Sequence, residues 1–139
     1  MGKTERFPRI TEVAASKITE KINAGEYSTK LSPQRYKRHI IKTKEYNDYL
    51  KDRKARGLMP QSELILSYKE AKQLIIDKAG TGIVGTNKNG DILPFESITA
   101  DIIIGKTWSG NKYIETNKAR IYYGKKSFHI VPIGGMNYD

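Results

Sequence analysis

The sequence predicts an α+β fold, with N-terminal helices packed on a roughly four-stranded antiparallel sheet meander. Three observations predict it. Apolar residues recur at helical spacing as far as Lys78. Beyond Gly80, β-branched and aromatic runs alternate with turn signals. The connections between these runs are too short for parallel crossovers, so neighbours must run antiparallel.

The elements follow in order. "ITEVAASKITEKINAG" reads as a helix: Thr11 is its N-cap, Ile10, Val13, Ile18 and Ile22 share a face, and Gly25 ends it. "EYSTKLSP" reads as a linker ending at Pro33, which sets residues 1–31 apart as a flanking helix and linker and leaves 32–139 as the functional domain. "KTKEYNDYLKDRKARG" is a second helix, capped by Thr43, with Tyr46, Tyr49 and Leu50 as a narrow apolar stripe and Gly57 as its stop. Its last turns are rich in Lys and Arg, which suits the negative end of the helix dipole. A short strand or turn at Leu64–Leu66 precedes a third helix, Tyr68 to Lys78. Ser67 and Glu70 form its capping box, Ala71, Leu74 and Ile75 face the core, and Gly80 ends it. "GTGIVGT" is a glycine-rich stretch or short strand and "NKNG" a turn. "ITADIIIGKTW" reads as one buried strand, "SGN" as a hairpin turn, and "KYIET", "ARIYYG" and "FHIVPI" as the remaining strands. Alternation in the last puts Phe128, Ile130 and Pro132 on one face and His129, Val131 and Ile133 on the other.

The chain has 139 residues, the size of one domain, with 37% hydrophobic and 29% charged residues, so its surface is large and wet. No apolar run approaches the roughly 18 residues of a membrane span, and no signal peptide is visible. The absence of cysteine excludes disulfides, thiol catalysis and zinc–thiolate sites. No calcium loop, P-loop or dinucleotide fingerprint occurs, so neither a metal nor a cofactor is expected. The net charge is +10 and the pI about 9.7, which points to a polyanionic partner. Between Lys30 and Gly57 ten Lys/Arg stand against three Asp/Glu, a net of +7. Pro60 to Ile104 carries a net of −2 and Gly105 to Asp139 a net of +4. Each basic block holds one of the two histidines, His39 and His129.

Cleaving RNA without a metal needs a base for the 2′-hydroxyl, an acid for the leaving 5′-oxygen and a cation for the phosphorane. His39 and His129 are the expected acid–base pair, in either order. Lys78, Arg38 or Arg120 would steady the phosphorane, and Thr116 and Tyr123 would position the phosphate. Gln34, Arg35, Lys37, Arg38, Lys42, Thr81, Lys118, Arg120 and Tyr122 make up the expected RNA-binding surface. Tyr36, Tyr113, Tyr122 and Tyr123 lie among basic residues, where rings can stack on bases. "KAGTG", Lys78 to Gly82, can present backbone N–H groups to a phosphate; on spacing alone it reads as a helix C-cap running into a strand.

Four stretches resemble the bacterial polymorphic toxin type 50 domain: "QRYKRHIIKTKEYNDYL", "DKAGTGI", "ITADIIIG" and "KYIETNKARIYYGKKSFHIVP". The resemblance covers about Ser32 to Ile133. It implies a ribonuclease toxin with the fold shared by barnase, EndoU, the tRNA-cleaving colicins and RelE, tRNA being one expected target. It also implies a cognate immunity protein, and synthesis in a bacterial cytoplasm followed by delivery into a target cell's cytoplasm. The family pattern falls on Gln34, His39, Lys78, Gly80, Thr81, Gly82, Thr116, Tyr123, His129 and Pro132. It departs at "IYYG", where the family reads I-H-Y-S: Tyr122 replaces a histidine and Gly124 a serine. The rival expectation is a non-catalytic nucleic-acid-binding module of a phage or secretion-associated protein, resting on the same basic surface.

Overall fold

Side-chain caps mark the starts of three of the four helices among the described residues. The computed structural model describes residues 10–134. Helix α1 (Ile10–Asn23) starts one residue ahead of Thr11, whose side chain lies outside the described residues. Gly25, at φ +78°, closes it. A short helix, α2 (Pro33–Lys37), stands where the sequence suggests only a linker's end. Ser32 accepts from the Arg35 N–H, and Pro33 fits the first turn because its missing donor would be unpaired there anyway. Thr43 caps α3 (Lys44–Ala55) by accepting from the Tyr46 N–H, and Gly57 stops it at φ +72°. Strand β1 (Glu63–Leu64) leads to α4 (Tyr68–Lys78), where Ser67 and Glu70 form the expected reciprocal capping box.

The remaining strands are β2 (Ile83–Thr86), β3 (Ile92–Thr99), β4 (Gly105–Trp108), β5 (Tyr113–Thr116), β6 (Lys118–Tyr122) and β7 (His129–Ile133). All pairings between them are antiparallel, but they form two sheets rather than one meander. One has the order β2-β3-β6-β7 and the other β1-β4-β5. The expected single strand through "ITADIIIGKTW" is two strand ends and a crossing segment. Strand β3 finishes at Thr99, Ile102 and Ile103 are exposed, and β4 begins at Gly105 in the other sheet. Most of β3 is hidden from sequence reading because Pro94 and Glu96 interrupt its apolar pattern. Pro94 lies at an irregularity of its own strand: between the Val84–Glu96 and Thr86–Ile92 pairs, Leu93, Pro94 and Phe95 stand opposite Gly85 alone, and the Pro94 carbonyl accepts from the Tyr123 N–H.

The four-stranded sheet has two unlike faces. Ile98, Ala119, Ile121, Ile130 and Pro132 are buried on one, with Ile18 of α1 and Ala71 and Ile75 of α4 in the same core. Ala14, Ala15 and Leu31 join that core, so the 1–31 segment contributes packing as well as length. The other face carries Phe95, Ser97, Arg120, Tyr122, His129 and Val131, all half-buried and paired across the strands in register.

Candidate functional site

His129 sits on that second face, opposite Tyr122 in the β6–β7 ladder. Direct cross-strand partners point the same way, and here the rings stack at 4.8 Å with 10° between their planes. Phe95, the β3 partner of Tyr122, continues the row at 5.9 Å, and the Arg120 guanidinium lies over Phe95 at 5.2 Å. From α2, Arg35 reaches across to place Nη1 3.2 Å from His129 Nδ1. A guanidinium can only donate, so Nδ1 accepts and the ring proton resides on Nε2. Burial pushes the His129 pKa down to about 4, helped by the charges of Arg35, His39 and Arg38. The imidazole is therefore neutral at pH 7.

His39 is set in the opposite tautomer. Just past α2, it is only 5% exposed, so it is buried rather than solvated in a basic loop. Its Nδ1 lies 2.8 Å from the Ser62 carbonyl oxygen. A carbonyl can only accept, so Nδ1 carries the proton and Nε2 holds a lone pair. The His39 backbone carbonyl accepts from the Leu64 N–H, tying the loop to β1. Burial is the main cause lowering its pKa; the Ser62 bond opposes this, and Arg38 and Arg53 add to the lowering. The basic neighbours are thus a secondary cause. Tyr49 of α3 meets the His39 ring edge-on at 6.0 Å and carries Arg38 and Arg53 near its own ring, at 5.2 and 5.6 Å.

A cavity of about 360 Å³ opens here, lined by His39, Tyr49, Arg53, Gln61, Trp108 and Tyr122 among others. The two histidines are thus linked through Tyr122, which lines this cavity and stacks on His129.

The remaining expected residues divide. Gln34, Arg35, Lys37 and Lys42 are exposed on α2 and the loop after it, and Lys118 is half-buried on the open sheet face. Lys78 and Thr81 line a different and larger cavity, about 660 Å³, at the glycine loop. That loop does not offer its N–H groups to an outside phosphate. The side chain of Glu96, fully buried, accepts from the Gly80 N–H at 3.0 Å and the Gly82 N–H at 2.6 Å. Tyr123 donates its hydroxyl to the same carboxylate at 2.6 Å and is itself 6% exposed. Lys78 lies 3.7 Å from Asp101. Thr116 is also buried: its hydroxyl donates to the Ile133 carbonyl at 2.7 Å and accepts from the Lys118 N–H. In this structure the Tyr123 and Thr116 hydroxyls therefore bond within the protein. Tyr36 is likewise buried, with its hydroxyl on the Leu66 carbonyl, so its ring is not a platform for a base.

Of the stretches carrying this geometry, Leu31 to Pro132 matches the family model of bacterial toxin 50. The chain belongs to the bacterial toxin 50 family. No curated protein and no solved structure matches it. In this toxin domain the match takes in both histidines, Arg35, Glu96 and the two sheets. No helix among the described residues is long and apolar enough to cross a membrane. Among the described residues no group of three or more His, Asp and Glu side chains could hold a metal ion. Sequence reading of the toxin domain missed Trp108, Gln61, Ser62 and Arg53 at the cavity, and Glu96 at the loop. Only Trp108 left a trace, as the single tryptophan of the chain beside a hairpin turn.

Proposed function

We propose that this toxin domain is a metal-independent endoribonuclease, with His39 and His129 as its acid–base pair. The observation that carries the reading is their complementary setting: neutral imidazoles, one with a lone pair on Nε2 and the other with a proton there. His39 takes the 2′-hydroxyl proton. The 2′-oxygen attacks phosphorus, the bond to the 5′-oxygen breaks, and a 2′,3′-cyclic phosphate and a 5′-hydroxyl form. A bound phosphate draws Arg35 away and raises the His129 proton affinity; Nδ1 then takes a proton from solvent, and the imidazolium gives its Nε2 proton to the leaving oxygen. Arg35, Arg38 and Arg120 hold the phosphate, whereas the Thr116 and Tyr123 hydroxyls bond within the fold and Lys78 lies at the separate glycine-loop cavity. An immunity protein that covers this face is the expected partner in the producing cell, and the target cell's cytoplasm is where RNA is met.

The test is incubation of the folded domain with total RNA in EDTA, followed by end-mapping. Cleavage leaving cyclic phosphate ends is expected, with His39→Ala and His129→Ala each slower by about 10²- to 10⁴-fold. Intact RNA in the presence of folded protein sinks the proposal. A second reading, a non-catalytic RNA-binding module, draws on the 5% exposure of His39. It expects both histidine variants to bind RNA normally, with charge reversal across Arg35–Lys44 abolishing binding.

A further inference from the structure

We infer that the cavity beside His39 is a pocket for one unpaired nucleobase of the RNA, with Trp108 as its stacking wall. The inference rests on the RNA-directed reading of the site and adds to it where a base would be read.

Three features of the cavity argue for a base. Its volume, about 360 Å³, is at the lower end of small-ligand sites, room for one nucleotide unit rather than a duplex. Its walls combine aromatic rings with polar groups: Trp108, Tyr49 and Tyr122 stand beside Ser62 and Arg53. Bases stack on such rings, and RNA recognition of single strands depends on that contact. Trp108 is also held in place. It packs on Tyr113, its β5 partner, at 5.2 Å and 71°, and Tyr113 donates to the Gln61 carbonyl. That contact is edge-to-face, so it does not use up a stacked pair.

The third feature is an acceptor left over. Gln61 is 3% exposed and lines the cavity. Its Nε2 donates to the Arg38 and Tyr46 carbonyls, which fixes the amide orientation. Its Oε1 has no hydrogen-bond partner among the described residues. Buried unpaired acceptors are rare in native proteins and generally have a reason. Oε1 itself has less than 1 Å² of accessible surface, so a base N–H or amino group meets it only with a shift of the cavity wall. Arg53 supplies the opposite character, a cationic donor for a base carbonyl or ring nitrogen. A base seated here leaves its ribose beside His39, whose Nε2 is the ring nitrogen not committed to Ser62.

Because Trp108 is the only tryptophan, its fluorescence reports this pocket alone. The probe is a random-sequence single-stranded RNA blocked against cleavage by 2′-O-methyl groups, compared with an abasic strand of the same length. Anisotropy of a labelled strand measures binding. Saturable quenching by the base-bearing strand is expected, with little quenching by the abasic strand even where it binds through its phosphates. Trp108→Ala should weaken binding about 5- to 150-fold, and Trp108→Phe should recover part of the loss with the fold intact by circular dichroism. Equal quenching by both strands overturns the inference, as does binding without quenching or no binding at all. Quenching by blocked RNA with no cleavage of unblocked RNA would sink the ribonuclease reading and leave the pocket standing.

Discussion

Replacing Arg35 by alanine should raise the pKa of His129 by up to about one unit. The native value of about 4 lies well below the ordinary 6.5. Burial is the larger cause and survives the substitution; the Arg35 charge ranks next. The guanidinium nitrogen lies 3.2 Å from Nδ1. Coulomb's law at that distance gives ~1 kcal/mol at the dielectric of water and ~5 kcal/mol at an effective value of 20. A half-exposed pair sits near the watery end, which sets the one-unit expectation. The stability consequence has a definite sign. A histidine whose folded pKa is depressed stabilises fully above its unfolded value, near pH 6.5, and that contribution is lost as pH falls toward 4. Arg35→Ala should therefore make the domain less sensitive to acid across that window. Proton NMR titration of the imidazole resonances checks this directly, since only two histidines contribute. An unchanged or lower His129 pKa in the variant would refute the assigned contact.

Glu96→Ala removes the acceptor for two backbone N–H groups and the Tyr123 hydroxyl; a loss of about 3–5 kcal/mol is expected in urea unfolding, with Glu96→Gln costing less. A Cβ at Gly105 would lie 2.0 Å from the Glu63 carbonyl oxygen. Gly105→Ala should accordingly part β1 from β4 and cost about 1–3 kcal/mol; full stability in thermal unfolding would contradict that close approach. Lys42 holds φ +71°, a conformation that favours glycine. Lys42→Gly should raise stability by up to about 1 kcal/mol, while the lost charge weakens RNA binding and flattens its salt dependence by about one phosphate contact; a fall in stability would contradict the strain.

Helices α3 and α4 were legible because their signals are local, whereas α2 was read as a linker's end. Ser67 with Glu70, Thr43 and the terminal glycines act within one turn, so the sequence carries them whole. Strand β7 was legible because alternation alone decides its faces. Strand β3 was not, since Pro94 sits in an irregular pairing with β2 that no local signal announces, and Glu96 is satisfied by partners 14 to 27 residues away. The division into two sheets was hidden for a similar reason: whether β4 stays beside β3 depends on β1, a two-residue strand far upstream. At the site, the two histidines could be singled out by composition, but their tautomers could not. These are set by the Ser62 carbonyl and Arg35, contacts across 23 and 94 residues.

The route of the chain between β3 and β6 has a consequence for how such a protein can change. These strands are neighbours, yet the chain leaves after the first, builds the β4–β5 hairpin in the other sheet, and returns for the second. The hairpin is anchored near its base, where the Ile104 N–H donates to the Thr116 carbonyl and the Thr116 hydroxyl reaches Ile133. Its far end carries Trp108 and the Ser109–Lys112 turn. Residues there can be exchanged or lengthened without shifting the β6–β7 register that pairs Tyr122 with His129. Under the proposed ribonuclease reading, the hairpin tip can vary in what it contacts while the ladder that holds His129 stays fixed.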